Sequence, residues 1–125
     1  MIKILPLISE VELKKLYNNS NIDFSSSSCA VVATEGDKRI GYCLFETADD
    51  SITIIALEPD NDLLLADGIL RSALHVGVER GLDKAYYSEN APISVFKKLG
   101  FIKNAENNEL DVSKLFSSCQ NCGTT

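Results

Sequence analysis

The chain has 125 residues, of which 45% are hydrophobic and 24% are charged, and this balance is typical of one folded domain. Its 12 Lys and Arg residues against 18 Asp and Glu residues give a net charge of -6, which argues against binding to nucleic-acid phosphates. There is no run of eighteen apolar residues, and no cleavage site of a secretory signal follows the N-terminus. We therefore expect no membrane partner, no nucleic-acid partner and a cytoplasmic location.

The N-terminal segment predicts an edge strand, a capped helix and a polar loop. Residues 2–7, IKILPL, predict a short strand, and Pro6 confines it to a sheet edge because proline cannot donate a ladder hydrogen bond. Ser9 and Glu12 have the capping-box spacing at the start of a helix that should end near residue 19. Its expected apolar face comprises Val11, Leu13, Leu16 and Tyr17. Residues 21–28 are polar and predict a mobile loop, either a plain linker or a lid over a substrate groove.

The middle of the chain predicts a three-strand antiparallel meander followed by a long helix. Strands and turns alternate as residues 29–34, 35–38, 39–46, 47–50 and 51–58. The third strand runs through Pro59 into a helix over residues 63–80, which should end at Gly81. A strand over residues 82–87 then completes a parallel crossover. Such a strand-to-helix junction exposes backbone N–H groups, where α/β proteins often hold an anionic ligand.

The C-terminal part predicts one more helix and two strands. Pro92 suits the first turn of a helix over residues 93–99, which a glycine at position 100 should end. Residues 101–105 and 110–116 are the strand candidates. We expect a single domain over residues 1–116 and a flexible tail over residues 117–125.

Three passages resemble the GNAT family of acyl-CoA-dependent N-acyltransferases. RIGYCLFE at residues 39–46 resembles the family's third strand, and LRSALHVGVERG at residues 70–81 resembles its long cofactor helix. NAPISVFKKLGF at residues 90–101 resembles its last helix and the strand that follows. The likeness covers roughly residues 29–103. It implies an α+β (α/β) fold with a mixed central sheet of six to seven strands, a long cofactor-type helix and a shorter C-terminal helix.

The resemblance also implies a cofactor, acetyl-CoA or another acyl-CoA, and an acceptor that is a small-molecule or peptide amine. In the family, a wedge between the strand ending near Leu57 and the strand at residues 84–87 admits the pantetheine arm. The pyrophosphate lies on the N-terminus of the long helix. The cofactor-binding residues that it implies here are Leu57, Leu64, Leu65, Ala66, Asn90 and Phe96.

The loop before the long helix departs from the family pattern, which has a Gln or Arg, two variable residues, a Gly, one variable residue and a Gly or Ala. The ungapped register places this pattern on Asn61, Leu64 and Ala66, of which only Ala66 matches. A shift of two residues puts Ala66 and Gly68 on the small positions and leaves Leu63 in place of the Gln or Arg. Leucine Cβ atoms would crowd a phosphate, so the cofactor loop is degenerate.

Charge at the helix start opposes a pyrophosphate as well. Asp60 and Asp62 open the helix, Asp67 follows one turn later, and no Lys or Arg lies between Arg39 and Arg71. We expect no tight coenzyme A binding of the usual kind, and we expect residues 63–65 to pack inward.

The acid–base groups are few. Many family members carry a proton-donating tyrosine four residues before the glycine of the LGF motif, a position that Phe96 occupies here. Glu58, at the end of the central strand, could act as a general base for an amine or could be an ordinary exposed turn carboxylate. Glu46 has a similar but weaker claim. Of Tyr86 and Tyr87, one should face the core because they are neighbours on a strand.

The remaining candidate residues favour structural interpretations. His75, the only histidine, is expected to be a partly buried structural side chain. Cys29 and Cys43 lie in strands, where cysteine behaves as a small apolar residue. Cys119 and Cys122 have the CxxC spacing of half a zinc site or a redox pair, so they are weak metal candidates in an otherwise metal-free prediction.

Two main functional hypotheses follow. The first is an N-acyltransferase of the GNAT type that works mainly by positioning its substrates. The second is a catalytically inactive binding or regulatory module that keeps the fold and has lost coenzyme A binding. A thiol or metal protein acting through the CxxC tail is a weaker third. A homodimer is the partner that both hypotheses allow, because a second subunit would cover an open substrate side.

Overall fold

A computed structural model describes residues 1–113 and residue 115. Within these residues the chain forms seven strands and three helices. The strands are β1 (Ile2–Pro6), β2 (Ser28–Glu35), β3 (Lys38–Thr47), β4 (Ser51–Glu58), β5 (Lys84–Tyr87), β6 (Ile102–Asn104) and β7 (Glu109–Leu110). The helices are α1 (Glu10–Asn19), α2 (Leu63–Glu79) and α3 (Ile93–Leu99).

The seven strands form one mixed sheet in the order β1-β2-β3-β4-β5-β7-β6. The strands β1 to β4 are antiparallel neighbours, which confirms the predicted edge strand and meander. β5 lies parallel to β4 because α2 carries the chain back to the starting edge. β7 pairs antiparallel with both β5 and β6. The predicted mixed α+β architecture is therefore confirmed.

The helices α2 and α3 cover one face of the sheet. A stripe of α2 is buried at helical spacing and consists of Ala66, Ile69, Leu70, Ala73, Leu74 and Gly77. From α3, Val95 and Phe96 join the same core. α3 ends at Gly100, whose φ of 76° is the left-handed conformation that glycine adopts without strain. This face holds the larger of the two hydrophobic clusters.

The helix α1 covers the opposite face. Ser9 caps it as predicted, with its side chain accepting a hydrogen bond from the backbone N of Glu12. The hydroxyl of Tyr17 lies 2.7 Å from the carbonyl oxygen of Cys29 and 2.9 Å from that of Phe45. Burial raises the pKa of the Tyr17 phenol above its ordinary value, so the hydroxyl stays a donor. One side chain thus ties α1 to two strands.

Two expectations about these elements are wrong. Val11 is 63% exposed, because it points away from the buried stripe formed by Leu13, Leu16 and Tyr17. The last strand is β7, Glu109–Leu110, and it does not continue through residues 111–113 as the prediction of a strand over residues 110–116 requires. Asp111 stops it, since its Oδ1 accepts the backbone N–H of Ser113 and turns the chain.

The four serines at residues 25–28, the last of which begins β2, form a hydrogen-bonded turn. The backbone N of Ser25 donates to Oγ of Ser28 at 2.8 Å, and Oγ of Ser25 donates to a carboxylate oxygen of Glu46 at 3.1 Å. Glu46, the weaker of the two general-base candidates, therefore fastens this turn to β3.

The predicted boundary at residue 116, the tail that follows it, and Cys119 and Cys122 lie outside the described residues. No helix within the described part of the chain has the length and apolar character needed to cross a membrane.

Candidate functional site

The parallel strands β4 and β5 separate partway along their length. Their pairing ends where Ile54 lies opposite Tyr87, although β4 continues to Glu58. Ser88 makes the last links across the gap, from its backbone N to the Ile54 oxygen at 2.9 Å and from its Oγ to the Ile55 oxygen at 3.3 Å. Beyond this point, residues 56–58 have no strand partner on the β5 side in the described chain. We call this opening the wedge.

A bulge in β4 coincides with the tip of the wedge. Leu44 of β3 pairs with Ala56 and Phe45 pairs with Ile54, so Ile55 has no opposite residue. A bulge bends its strand and increases the local twist. The bend therefore directs the last residues of β4 away from β5 where the two strands part.

The far end of β4 is held by a close backbone contact. A Cβ atom at Gly41 of β3 would lie 2.7 Å from the carbonyl oxygen of Glu58 and 3.0 Å from Cδ of Pro59. Only glycine permits this approach, because no real Cβ packs at such distances. Gly41 thus fixes the rim of the wedge against β3.

A polar pocket of about 370 Å³ lies on the α1 side of the wedge. Its lining consists of Ser20, Asn21, Ile22, Tyr42, Ala56, Glu58 and Asn90. The hydroxyls of Ser20 and Tyr42 lie 3.4 Å apart within it. Glu58, the predicted base, is an exposed carboxylate at its edge. The structure thus brings Glu58 and Asn90 together beside the open end of β4.

The side chain of the N-cap residue Asp62 bonds one of the free backbone N–H groups at the start of α2. Oδ1 of Asp62 accepts the backbone N–H of Leu65 at 3.1 Å, and this N–H is one of the donors that a helix could offer to an anion. Asp60 and Asp62 are both exposed there. The negative charge of Asp67 is neutralised, since its carboxylate forms an ion pair with Arg71 Nε at 3.0 Å.

Leu63 and Leu64 do not pack inward, which corrects the sequence expectation, whereas Leu65 packs against the core as expected. Leu64 is 85% exposed and Leu63 is 38% exposed, whereas Leu65 is half-buried and Ala66 is fully buried. The stripe that faces the sheet includes Ala66, so a residue two positions earlier points the other way. A contact of Leu64, Leu65 or Ala66 with a cofactor stays a prediction.

Arg39 is a cation that the sequence did not associate with this region. It lines a second pocket of about 310 Å³ together with Gly41, Tyr42, Glu58 and Pro59. Arg39 is distant from Pro59 along the chain, and the antiparallel pairing of β3 with β4 brings the two residues to the same pocket. A plot of charge along the sequence cannot show this proximity.

Two aromatic residues lie at the tip of the wedge on the α2 side. Phe96 is fully buried, and its ring centroid lies 5.3 Å from that of Tyr87. Tyr87 is 5% exposed, and its hydroxyl has no hydrogen-bond partner in the described structure. The expectation that one of the two β5 tyrosines faces the core is confirmed, since Tyr86 is only half-buried. Leaving a buried hydroxyl unpaired costs roughly 1–3 kcal/mol.

The other candidates lie away from the wedge. His75 is exposed and pairs with Glu79 at 3.2 Å, which corrects the expected partial burial. Its position on α2 falls between the buried Leu74 and Gly77 and points outward. Cys43 is buried, and burial raises the pKa of its thiol, so it stays protonated. Within residues 1–113 and 115, no group of three or more His, Cys, Asp or Glu residues could hold a metal ion.

No family model and no curated protein matches the chain. Solved structures do match it. The ribosomal-protein-S18-alanine N-acetyltransferase from Escherichia coli aligns with a TM-score of 0.58 at 16% identity, over 87% of this chain and 88% of that one. A GNAT-family acetyltransferase from Streptococcus pneumoniae TIGR4 aligns with a TM-score of 0.56 at 17% identity, over 82% and 88%. The chain has the GNAT fold.

A third GNAT-like neighbour is the PaiA N-acetyltransferase from Thermoplasma acidophilum, whose structure is a complex with coenzyme A. It aligns with a TM-score of 0.51 at 16% identity, over 76% of this chain and 62% of that one. These matches confirm the predicted resemblance at the level of the fold. At such identities the chemistry of this chain has to be argued from its own residues.

Proposed function

We propose that the protein is an N-acyltransferase that moves an acyl group from a pantetheine thioester, such as acetyl-CoA, to an amine. The observation that carries this proposal is the open edge of β4 at residues 56–58, beside a polar pocket. A pantetheine arm contains amide groups, which can pair with an unpaired strand edge as an added strand would.

The two parts of an acyl-CoA fit this chain differently. At the wedge, the open edge of β4 suits a ligand that carries amide groups. At the helix start, a diphosphate does not fit, because Asp62 already occupies the Leu65 N–H and two carboxylates repel the phosphates. Affinity for the donor should therefore come from its pantetheine arm.

The polar pocket supplies the acceptor side. A bound thioester would provide the activated acyl group, while the chain's own residues position the amine. Glu58 would attract an ammonium group and accept a proton from it, because a carboxylate is a base that can lie beside a reacting nitrogen. Ser20, Tyr42 and Asn90 offer hydrogen-bonding groups around the same volume. The rate acceleration would then come mainly from holding the amine and the thioester close together in a reactive orientation.

A non-catalytic binding module is the second candidate, and the same helix start favours it. The Asp62 cap and the exposed Leu64 replace the small residues that would allow phosphate to approach. Such a module would use the polar pocket to hold a small amine or a protein segment without transferring an acyl group.

Ligand-induced stabilisation distinguishes the two candidates. The N-acyltransferase should gain about 2.7 kcal/mol of stability from acetyl-CoA at 100 times its Kd, and a mixture with primary amines should release free thiol. Acetyl-pantetheine should stabilise nearly as well as acetyl-CoA, since the diphosphate contributes little. Absence of any shift in Tm at millimolar acetyl-CoA and acetyl-pantetheine would contradict the N-acyltransferase proposal and leave the binding module.

A further inference from the structure

The polar pocket adjoins the pocket that contains Arg39. The polar pocket of about 370 Å³ and its neighbour of about 310 Å³ share two lining residues, Tyr42 and Glu58. Tyr42 of β3 lies directly opposite Glu58 of β4 in the antiparallel pairing, so the two side chains are on the same face of the sheet. A ligand that reaches Glu58 in one pocket can therefore extend into the other.

A bulge in β3 turns Arg39 onto this same face. Side chains alternate along a strand, so residue 39 of a regular β3 would point away from the face that carries Tyr42. On β2, however, Ala33 lies opposite Gly41. The next β2 residue, Thr34, lies opposite Arg39 and not opposite residue 40. An inserted residue of this kind redirects the side chains beyond it, and Arg39 consequently faces the same side as Tyr42.

Arg39 and Glu58 carry opposite charges and do not neutralise each other. Among residues 1–113 and 115, neither side chain takes part in an ion pair, although both line the same cavity. Both side chains are exposed. The planar fork of N–H donors on an arginine matches the two oxygens of a carboxylate. The cavity therefore offers one place for a cation and another for an anion.

The spacing of the two charges indicates the length of a ligand that contacts both. Arg39 and Tyr42 are three residues apart on β3, which is at most about 10 Å of strand, and Glu58 lies beside Tyr42. The long arginine side chain can cover part of that distance, and a chain of about four carbon atoms spans roughly 5 Å of the rest. One guanidinium balances one negative charge, so a carboxylate fits this end better than a doubly charged phosphate.

We propose that the acceptor is an ω-amino acid, a compound with an aliphatic amine at one end and a carboxylate at the other. This assignment rests on the proposed N-acyltransferase function. Glu58 holds the ammonium group in the polar pocket, and Arg39 binds the carboxylate in the adjoining pocket. The ammonium group loses one proton to Glu58 or water. Its nitrogen then forms the C–N bond as the C–S bond breaks, and the departing thiolate takes up the second proton from nitrogen through solvent.

Three four-carbon acceptors test this assignment: 4-aminobutyrate, butylamine and 1,4-diaminobutane. Their amino groups are similar in basicity, whereas their far ends are negative, neutral and positive. With acetyl-CoA as donor and thiol release as the measurement, the wild type should show a kcat/KM for 4-aminobutyrate about 3- to 10-fold above that for butylamine, as one partly exposed charge-assisted contact gives. The poorest acceptor should be 1,4-diaminobutane, because its second ammonium group would face Arg39.

Substitutions at position 39 show whether the guanidinium causes the preference. R39Q should acylate 4-aminobutyrate and butylamine equally well, and R39E should prefer 1,4-diaminobutane because the charge at that end of the cavity is reversed. The matched control is K38Q. Lys38 lies opposite Glu35, the residue after Thr34, and therefore on the other face of the sheet. K38Q removes the same charge and should keep the wild-type order of acceptors.

The other outcomes contradict the assignment. Equal kcat/KM for 4-aminobutyrate and butylamine in the wild type, or a preference that persists in R39Q, would overturn the role of Arg39 and leave the N-acyltransferase proposal standing. An equal loss of preference in K38Q would do the same, because the general surface charge and not a contact would then select the acceptor. Absence of thiol release with all three acceptors would overturn both proposals together.

Unfolding of the variant does not complicate this comparison. Arg39 is exposed and forms no ion pair with any residue that the structure describes, so R39Q should unfold at the same urea concentration as the wild type. A marked loss of stability in R39Q would mean that Arg39 is bonded within the protein, and the proposal that it binds the acceptor would then be wrong.

Discussion

The end of β4 and the start of α2 are adjacent in the chain, yet they present their backbone groups in opposite ways. Residues 56–58 keep one side of the strand open, because β5 has already ended opposite Ile54. A few residues later, Asp62 closes the helix start by accepting the N–H of Leu65. The strand edge can receive a ligand, whereas the helix end has one of its donors already bonded and carries two carboxylates.

This difference reflects how each feature is built. The open edge depends on the lengths of two strands, on the bulge at Ile55 and on the contact at Gly41, so no single surface residue creates or removes it. The closed helix start depends on one aspartate side chain. A GNAT fold can therefore lose its phosphate cradle by a few substitutions and still retain the wedge.

The largest expected effect concerns Gly41, which tests whether the strand end is rigid. Gly41→Ala places a Cβ atom 2.6 Å from Ile69 Cδ1 and 2.7 Å from the Glu58 oxygen. Backbone cannot yield cheaply, so we expect the free energy of unfolding to fall by about 1–3 kcal/mol in urea titrations.

The matched control for this change is Gly68→Ala near the start of α2. Its added Cβ meets only the flexible tip of Ile4 at 3.1 Å, and alanine favours a helix interior by roughly 0.5–1 kcal/mol. We expect a neutral or stabilising effect. Equal losses in the two variants would contradict the contrast between a rigid strand end and a tolerant helix start.

An intermediate effect is expected from the helix cap. Asp62→Ala removes the acceptor for Leu65 N–H and should cost about 1 kcal/mol, measured by chemical denaturation. Asp62→Ser keeps a capping oxygen without the charge and should retain most of that stability. Both variants should bind acetyl-CoA more tightly than the wild type at low salt, because one repelling carboxylate is gone. Unchanged affinity in both would show that the helix start lies away from the ligand.

Local patterns in the sequence predicted most of the fold. The Ser9 cap, the meander and the glycine that ends α3 are set by neighbouring residues, and the structure confirms each. The passages at residues 39–46 and 90–101 led to the GNAT resemblance, which the solved structures confirm as the fold. Prediction succeeded at these places because the residues that form each element are close together in the sequence, so their pattern can be recognised without knowing the tertiary contacts.

The site was less predictable because it depends on contacts between distant segments. The bulge at Ile55 appears only when β3 and β4 are in register, and the same pairing brings Arg39 into a pocket with Glu58 and Pro59. The outward direction of Leu64 follows from which stripe of α2 meets the sheet, and a first turn made of three leucines hides that choice. The unpaired hydroxyl of Tyr87 is a property of packing alone.

The smallest expected effect is a change at Leu64, which tests whether the helix start can regain attraction for phosphate. Leu64 is 85% exposed, so Leu64→Lys and its uncharged control Leu64→Gln should each change stability by no more than about 0.5 kcal/mol. Leu64→Lys should tighten acetyl-CoA binding by a few-fold at low ionic strength, and the gain should vanish near 1 M salt, where screening is nearly complete. Acetyl-pantetheine lacks the diphosphate and should show no such gain. An equal gain for both donors, or for Leu64→Gln, would mean that Leu64 acts through packing, and the charge argument for the helix start would then be wrong.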